Sequence, residues 1–406
     1  MSSFREIRYR VKASKRIAVS SKLVDPLARA KDLAPTIAAA ADQIEHERRL
    51  PAALVDRLHD AGMFRLLLPR TLGGSELDPV TFTQVIEEIA KADASTAWVL
   101  CQTSGCSMSA AYLAPDVARD VFGERGVMAW GPGPGARAVA ADGGFRVTGT
   151  WSFASGGRHA TWFGGYCPIY EADGSPRRRP DGSHEGRTML FPASSARMTD
   201  VWHVIGLRGT ASDTYAVSDV FVPKEYSIAR DEQSERRQSG PLYCFPIGNL
   251  FASGFAGVSL ALGRASLDEF VALARDKTPR GMSRTLRENA VVQSQVGQCE
   301  ARLRAARMLL LGSLDQIWRE VGRLGALSLD QRMTIRMAAT HATQQATEVV
   351  NTVYHAAGGT AVFQRNRFER RFRDMHTVTQ QLQGRLSHYE TIGQHLLGLD
   401  ADTTWL

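Results

Sequence analysis

The sequence is poor in cysteine and organises none of it. Its five cysteines (Cys101, Cys106, Cys167, Cys244 and Cys299) form an odd set without a C-x-x-C pair, which excludes a disulfide framework and a structural zinc site. No metal site is expected. No stretch of 18 or more apolar residues is free of polar breaks, so no membrane-spanning helix is predicted and a cytoplasmic protein is expected. The P-loop, the H-E-x-x-H zinc motif and the G-x-S-x-G nucleophile elbow are all missing, leaving hydrolase and metalloenzyme readings without a specific motif. Gly131-Pro-Gly-Pro-Gly-Ala136 fits the spacing of the dinucleotide fingerprint. Its two prolines and the Gly143-Gly144 turn soon after leave no helix to carry a pyrophosphate, so that fingerprint is rejected.

Net charge is also scarce where it would matter. Of the formal +7, most lies in the first 24 residues, where seven basic groups (Arg5, Arg8, Arg10, Lys12, Lys15, Arg16, Lys22) face only Glu6. The rest of the chain is nearly neutral, which argues against nucleic acid as a partner, because phosphate tracking needs clustered cations. Residues 1–24 read as a detachable basic tail without the apolar segment of a secretory signal. What is present is an ordinary globular composition, 44% hydrophobic and 22% charged, with enough chain for two or three cores.

The period of the hydrophobic pattern changes twice. From 25 to 125 apolar residues recur at helical spacing (Leu50, Leu54, Leu58; Phe82, Val85, Ile86, Ile89), with Ser95-Thr96 as a cap for the helix that follows. From 126 to 235 strand alternation takes over: Phe145, Val147, Gly149, Trp151 and Phe153 alternate with polar partners, and short runs at 161–166, 188–191, 200–205 and 216–222 add further strands. From 236 to 406 helical spacing returns in Phe255–Phe270, Val291–Leu311, Gln331–His355 and Arg373–Leu397, predicting a four-helix bundle. The expected class is α+β: helical domain, central β-barrel or sandwich, helical bundle.

Four segments carry a more specific signal: Leu68-Pro-Arg-Thr-Leu-Gly-Gly74, Trp151-Ser-Phe-Ala-Ser-Gly-Gly157, Trp202-His-Val-Ile-Gly-Leu-Arg-Gly-Thr-Ala-Ser-Asp-Thr214, and Ala357-Gly-Gly-Thr360 followed by Arg373-Asp374. Together with the element order they resemble the acyl-CoA dehydrogenase superfamily over nearly the whole chain after the tail. The resemblance implies a flavin between the β domain and the bundle, in a homotetramer built as a dimer of dimers. A flavin needs a flat apolar wall and a few fixed polar groups at its N5 and carbonyl edge. Trp151, Phe153 and Ser155, two residues apart, are expected on one strand face, with Gly156 allowing close backbone approach. A plain aromatic strand in a core would explain Trp151 and Phe153 alone. The resemblance adds Arg208, Thr210 and Ser212 to the cofactor site, and Gly358, Gly359 and Arg280 to the cofactor's phosphate or nucleotide part.

Acyl-CoA dehydrogenases need a carboxylate base. The family position counted from Arg373 falls on Leu382, and the alternative near Ser253–Gly254 has no acid either, leaving Glu390 as a displaced candidate. The motifs resemble more closely the two-component monooxygenase branch (group D) of the superfamily. That branch takes reduced FMN or FAD from a separate flavin reductase and uses O2 through a C4a-hydroperoxyflavin. There, a serine at the Ser155 position bonds flavin N5 and a histidine at the His376 position handles protons. Cys106, Met108, Tyr112 and Trp130 are expected to line an apolar pocket for an aromatic or heteroaromatic small molecule. The alternatives are an FAD-dependent dehydrogenase with a displaced base and a flavin-free scaffold relative.

Overall fold

A computed structural model describes residues 25–230 and 232–403; the basic tail at 1–24 lies outside the described residues. Five helices come first: α1 (Pro26–Glu47), α2 (Ala52–Asp60), α3 (Pro79–Ala92), α4 (Ala94–Ser107) and α5 (Pro115–Phe122). Aspartates start three of them, with Asp25, Asp78 and Asp93 accepting from the backbone N–H of Leu27, Thr81 and Thr96. Helix α4 therefore begins before Ser95-Thr96: the cap is Asp93, which also accepts from the Thr96 hydroxyl at 2.7 Å.

The strands are β1 (Met128–Ala129), β2 (Arg137–Ala141), β3 (Gly144–Ala154), β4 (Trp162–Tyr170), β5 (Gly186–Pro192), β6 (Arg197–Thr199), β7 (Asp213–Pro223) and β8 (Ser227–Ile228). They run in the order β6-β7-β3-β2-β4-β5-β8, with β1 beside β4. The expected strand over 200–205 is a loop. Its backbone N–H groups at Val201 and Trp202 bond the Asp213 side chain at 3.1 and 3.2 Å instead of a ladder, and Val201 and Ile205 are exposed.

The second helical region holds α6 (Ile247–Asp276), α7 (Ala290–Leu324), α8 (Leu329–Ala357), α9 (Arg367–Val378) and α10 (His388–Leu396). The run predicted as one helix over Arg373–Leu397 is thus two, split by a tight turn at Leu382–Gly384. Gly384 packs there against Thr343, so the chain closes onto α8 before starting α10. Helix α6 is apolar and long enough to cross a membrane, but 89% of its most apolar window is buried inside the protein. It packs on α3, α4 and α8, and Gly254 marks a close approach to α4: a Cβ there would meet Cys101 Sγ at 2.5 Å. Two main cores result, one shared by both helical regions and one joining the β domain to α5 and the end of α4, with a small third contact between Met333 and Ile392.

Candidate flavin site at the junction of the β domain and the helices

Strand β3 does not present Trp151, Phe153 and Ser155 on one face. Its pairing with β7 shifts register between Trp151 and Ala154, and Phe153 takes a left-handed φ of +60°, a costly conformation for a bulky residue. Trp151 is fully buried in the β-domain core, where it stacks on Tyr215 at 5.3 Å and donates to the Tyr166 carbonyl. Three glycines (Gly133, Gly149, Gly165) make room for its ring, since a Cβ at any of them would lie within 2.7 Å of the indole. This also accounts for a glycine of the rejected fingerprint. Trp151 thus packs into the β-domain core and does not share a face with Phe153. Phe153 turns the other way, 60% exposed, and meets the Trp202 ring edge-to-face at 6.1 Å. The second ring of this pair comes from the loop at 200–207.

Behind Phe153 runs a series of hydroxyls. The buried Ser155 accepts from Trp98 Nε1 at 3.1 Å and lies 2.6 Å from Ser212 Oγ; Ser212 is 2.7 Å from Thr210 Oγ1, which donates to the Leu207 carbonyl at 2.9 Å. The same carbonyl accepts from Trp202 Nε1 at 3.0 Å. Gly156, at φ +77°, lies against Val99 of α4, and its N–H donates to the Thr210 carbonyl. Leu207 and Ala211 also have left-handed φ, +50° and +45°. With Phe153, three non-glycine outliers thus surround one hydroxyl cluster, the pattern expected where local strain is held for function. Arg208 turns toward α1, 3.6 Å from Glu45.

The arc 206–212 is pinned to α9. A Cβ on Gly206 would stand 2.2 Å from the Arg373 carbonyl, Arg373 donates to the Ile205 carbonyl, and Asp374 Oδ1 accepts from Leu207 N–H at 2.6 Å. Asp374 is buried, and desolvation, reinforced by Asp93 and Glu45, pushes its carboxyl up to about 7 against the Leu207 bond and Arg373. Two residues further along, roughly 200° around the helix, His376 faces α8. Its Nε2 donates to Asn351 Oδ1 at 3.0 Å and its ring lies 4.3 Å from Phe372. His376 is half-buried and shares no contact with the Ser155 cluster.

The pocket residues divide between the two cores. Cys106 and Trp130 belong to the β-domain core, Met108 to the helical core, and half-buried Tyr112 touches both. Gln102 donates to the Trp130 carbonyl at 3.2 Å, Arg230 covers the Trp130 ring at 4.6 Å, and burial pushes the Cys106 thiol up.

The nucleotide-side residues do meet. Arg280, Gly358 and Gly359 line a cavity of about 470 Å³ with Lys277, Arg365 and Asn366, and no acid lines it. Lys277 Nζ bonds Thr360 Oγ1 at 2.7 Å, fixing the turn whose Gly358 has φ +56°. Glycine keeps this floor open: a Cβ at Gly359 would touch nothing. The displaced base fares worse. Glu390 is exposed on α10 beside a separate 270 Å³ cavity with His388, while Leu382 occupies the tight turn. Among the described residues no cluster of metal ligands exists.

Family models for the acyl-CoA dehydrogenase N-terminal domain and C-terminal domain match residues 29–116 and 253–383, together more than half the chain. The chain belongs to the acyl-CoA dehydrogenase superfamily. Within it, the chain is similar to the indole-3-acetate monooxygenase of Acinetobacter baumannii, 29% identical with 84% of this chain and 86% of the relative covered. It is 28% identical to the oxygenase component of the FADH(2)-dependent resorcinol hydroxylase of a Rhizobium species, covering 92% and 94%. In fold it matches the crystal structure of 3-HSA hydroxylase from Rhodococcus sp. RHA1 with a TM-score of 0.86 at 24% identity, covering 94% and 99%.

Proposed function

We propose that this protein is the oxygenase component of a two-component flavin-dependent monooxygenase. It takes reduced FMN or FAD from a separate reductase and oxidises an aromatic or heteroaromatic small molecule with O2. The observation that carries this reading is the Ser155 junction: an exposed aromatic pair beside a buried hydroxyl series, held on strained backbone between the β domain and α9. These residues fit a flavin. Phe153 and Trp202 offer the apolar wall, Ser155 the polar group for the N5 edge, and the acid-free cavity at Lys277, Arg280 and Arg365 suits the phosphate or nucleotide portion. The nucleotide cavity favours FAD over FMN. The bound flavin supplies the activation of O2; the chain's own part is to orient the flavin, exclude water at the junction and move protons nearby.

His376 is the proton-handling group in this reading. With Nε2–H spent on Asn351, Nδ1 is its basic atom. The relatives' activities, on indole-3-acetate and resorcinol, support an aromatic substrate. The exposed apolar side chains of α7, Val291 and Met308 among them, support burial in a homotetramer, and a cytoplasmic location is part of the same proposal. A dehydrogenase reading has no acid at Leu382 or at Ser253–Gly254 to stand on. Anaerobic reduction of the flavin-loaded protein followed by O2 in a stopped-flow cell should give a transient near-ultraviolet-absorbing species. Tight binding of oxidised FAD that is bleached anaerobically by an acyl-CoA would replace this function with the dehydrogenase one.

A further inference from the structure

The geometry points to a redox filter in the hydroxyl series behind Ser155: it fixes Ser155 as a hydrogen-bond acceptor toward the flavin, selecting a flavin whose N5 carries a proton. This rests on the reading of Ser155 as the group facing N5. Four contacts join five groups in a line: Trp98 Nε1, Ser155 Oγ, Ser212 Oγ, Thr210 Oγ1 and the Leu207 carbonyl. The two ends have no choice of role, because an indole N–H only donates and a carbonyl only accepts. Between them the line holds four protons, one from the indole and one from each hydroxyl. All four contacts are satisfied in a single orientation, with every proton pointing toward Leu207.

The environment holds that orientation. Ser155, Ser212 and Thr210 are 4%, 3% and 1% exposed, so water does not compete for their protons. The Leu207 carbonyl is held in place by two further donors, Trp202 Nε1 at 3.0 Å and the Thr210 backbone N–H at 3.1 Å. Ser155 therefore has its proton committed to Ser212 and one lone pair committed to Trp98. What remains is a second lone pair. Oxidised flavin presents a bare acceptor at N5 and reduced flavin presents N5–H, so two acceptors oppose each other in the first case and a hydrogen bond forms in the second. Trp98, Ser212 and Thr210 are positioning residues in this scheme, and the preference suits a protein that receives its flavin already reduced.

The test is the ratio of Kd for oxidised FAD to Kd for photoreduced FAD, measured by anaerobic titration of the full-length protein. Thr210→Val and Ser212→Ala each leave a hydroxyl proton without its acceptor, freeing Ser155 to donate; each should lower the ratio by about tenfold. In bound-flavin potential that is a fall of about 30 mV for a two-electron couple. Thr210→Ser keeps the hydroxyl and should keep the wild-type ratio. If both valine and alanine variants weaken the two redox forms by the same factor, the series is only structural and the filter is overturned, while a change in the ratio in Ser155→Ala still upholds Ser155 at N5. Should Ser155→Ala leave both affinities untouched, Ser155 is not at N5, and the filter falls with that placement.

Discussion

At the Ser155 junction the polar atoms are buried and joined in series, whereas in the cavity beside Gly358 Arg280 and Arg365 stand in the open. Ser155, Ser212, Thr210 and Asp374 lie in contact with one another or with one strained arc. Arg280 is exposed, and the two glycines of its cavity floor meet almost nothing. The difference separates two tasks. Buried, oriented groups decide which chemical state is tolerated, because a misdirected hydrogen bond in a dry site is costly. Exposed cations on flexible side chains hold a charged group by screened attraction, which adds affinity and little discrimination.

The largest effect is expected at Asp374, the acid under the junction. Its folded carboxyl at about 7 is raised from an unfolded value of about 3.9, so its contribution to stability is full below the unfolded value and is lost as pH rises toward and through about 7. Asp374→Asn keeps an acceptor for Leu207 N–H without the buried charge. Urea unfolding should find it more stable than wild type by on the order of 2–4 kcal/mol at pH 8, and nearly equal to it at pH 4. A pH-independent difference would remove the buried charge from the account.

Gly206→Ala comes next. Its Cβ would run into the Arg373 carbonyl and Asp374 N, backbone atoms that cannot yield cheaply. A loss of about 2–3 kcal/mol is expected by thermal or urea unfolding, together with weaker flavin binding. By contrast, Gly359→Ala in the open cavity should be silent in stability, and a comparable loss there would erase the distinction between the regions.

Smaller effects follow at the aromatic wall and the cavity. Phe153→Asn relieves a left-handed phenylalanine with little packing to lose, so unfolding should show a gain of about 1 kcal/mol while affinity for flavin falls. Arg280→Ala should weaken FAD by roughly threefold to fivefold at low salt, less at high salt, and leave FMN unchanged. An equal effect on both flavins would mean that the cavity does not hold the nucleotide end.

The element order and the helix-strand-helix change of period were legible because burial imposes them on the composition. The hydroxyl segment was legible through its motif, and Arg280, Gly358 and Gly359 do line one cavity. Trp151 does not share the expected face with Phe153 because strict alternation breaks at a register shift that nothing in Trp151-Ser-Phe-Ala-Ser announces. The 200–205 loop read as a strand because Val201, His203 and Ile205 alternate with other residues, although the partner of its backbone is the distant Asp213 side chain. Trp98 and Asp374 were in view, in Ser95-Thr96-Ala-Trp98 and Arg373-Asp374, but only as landmarks. Their roles depend on contacts 57 and 167 residues away.

The register shift in β3 acts as a change of gear along a single strand. Ahead of it, side chains are timed to the interior of the β domain; past it, they are timed to the seam with the helices. Shortening or lengthening the four residues from Trp151 to Ala154 by one would put the strand out of step and turn the segment that leads into Ser155 to the other side of the sheet. For anyone grafting this seam onto a related scaffold, the length of that interval matters more than the identity of Ser152 within it.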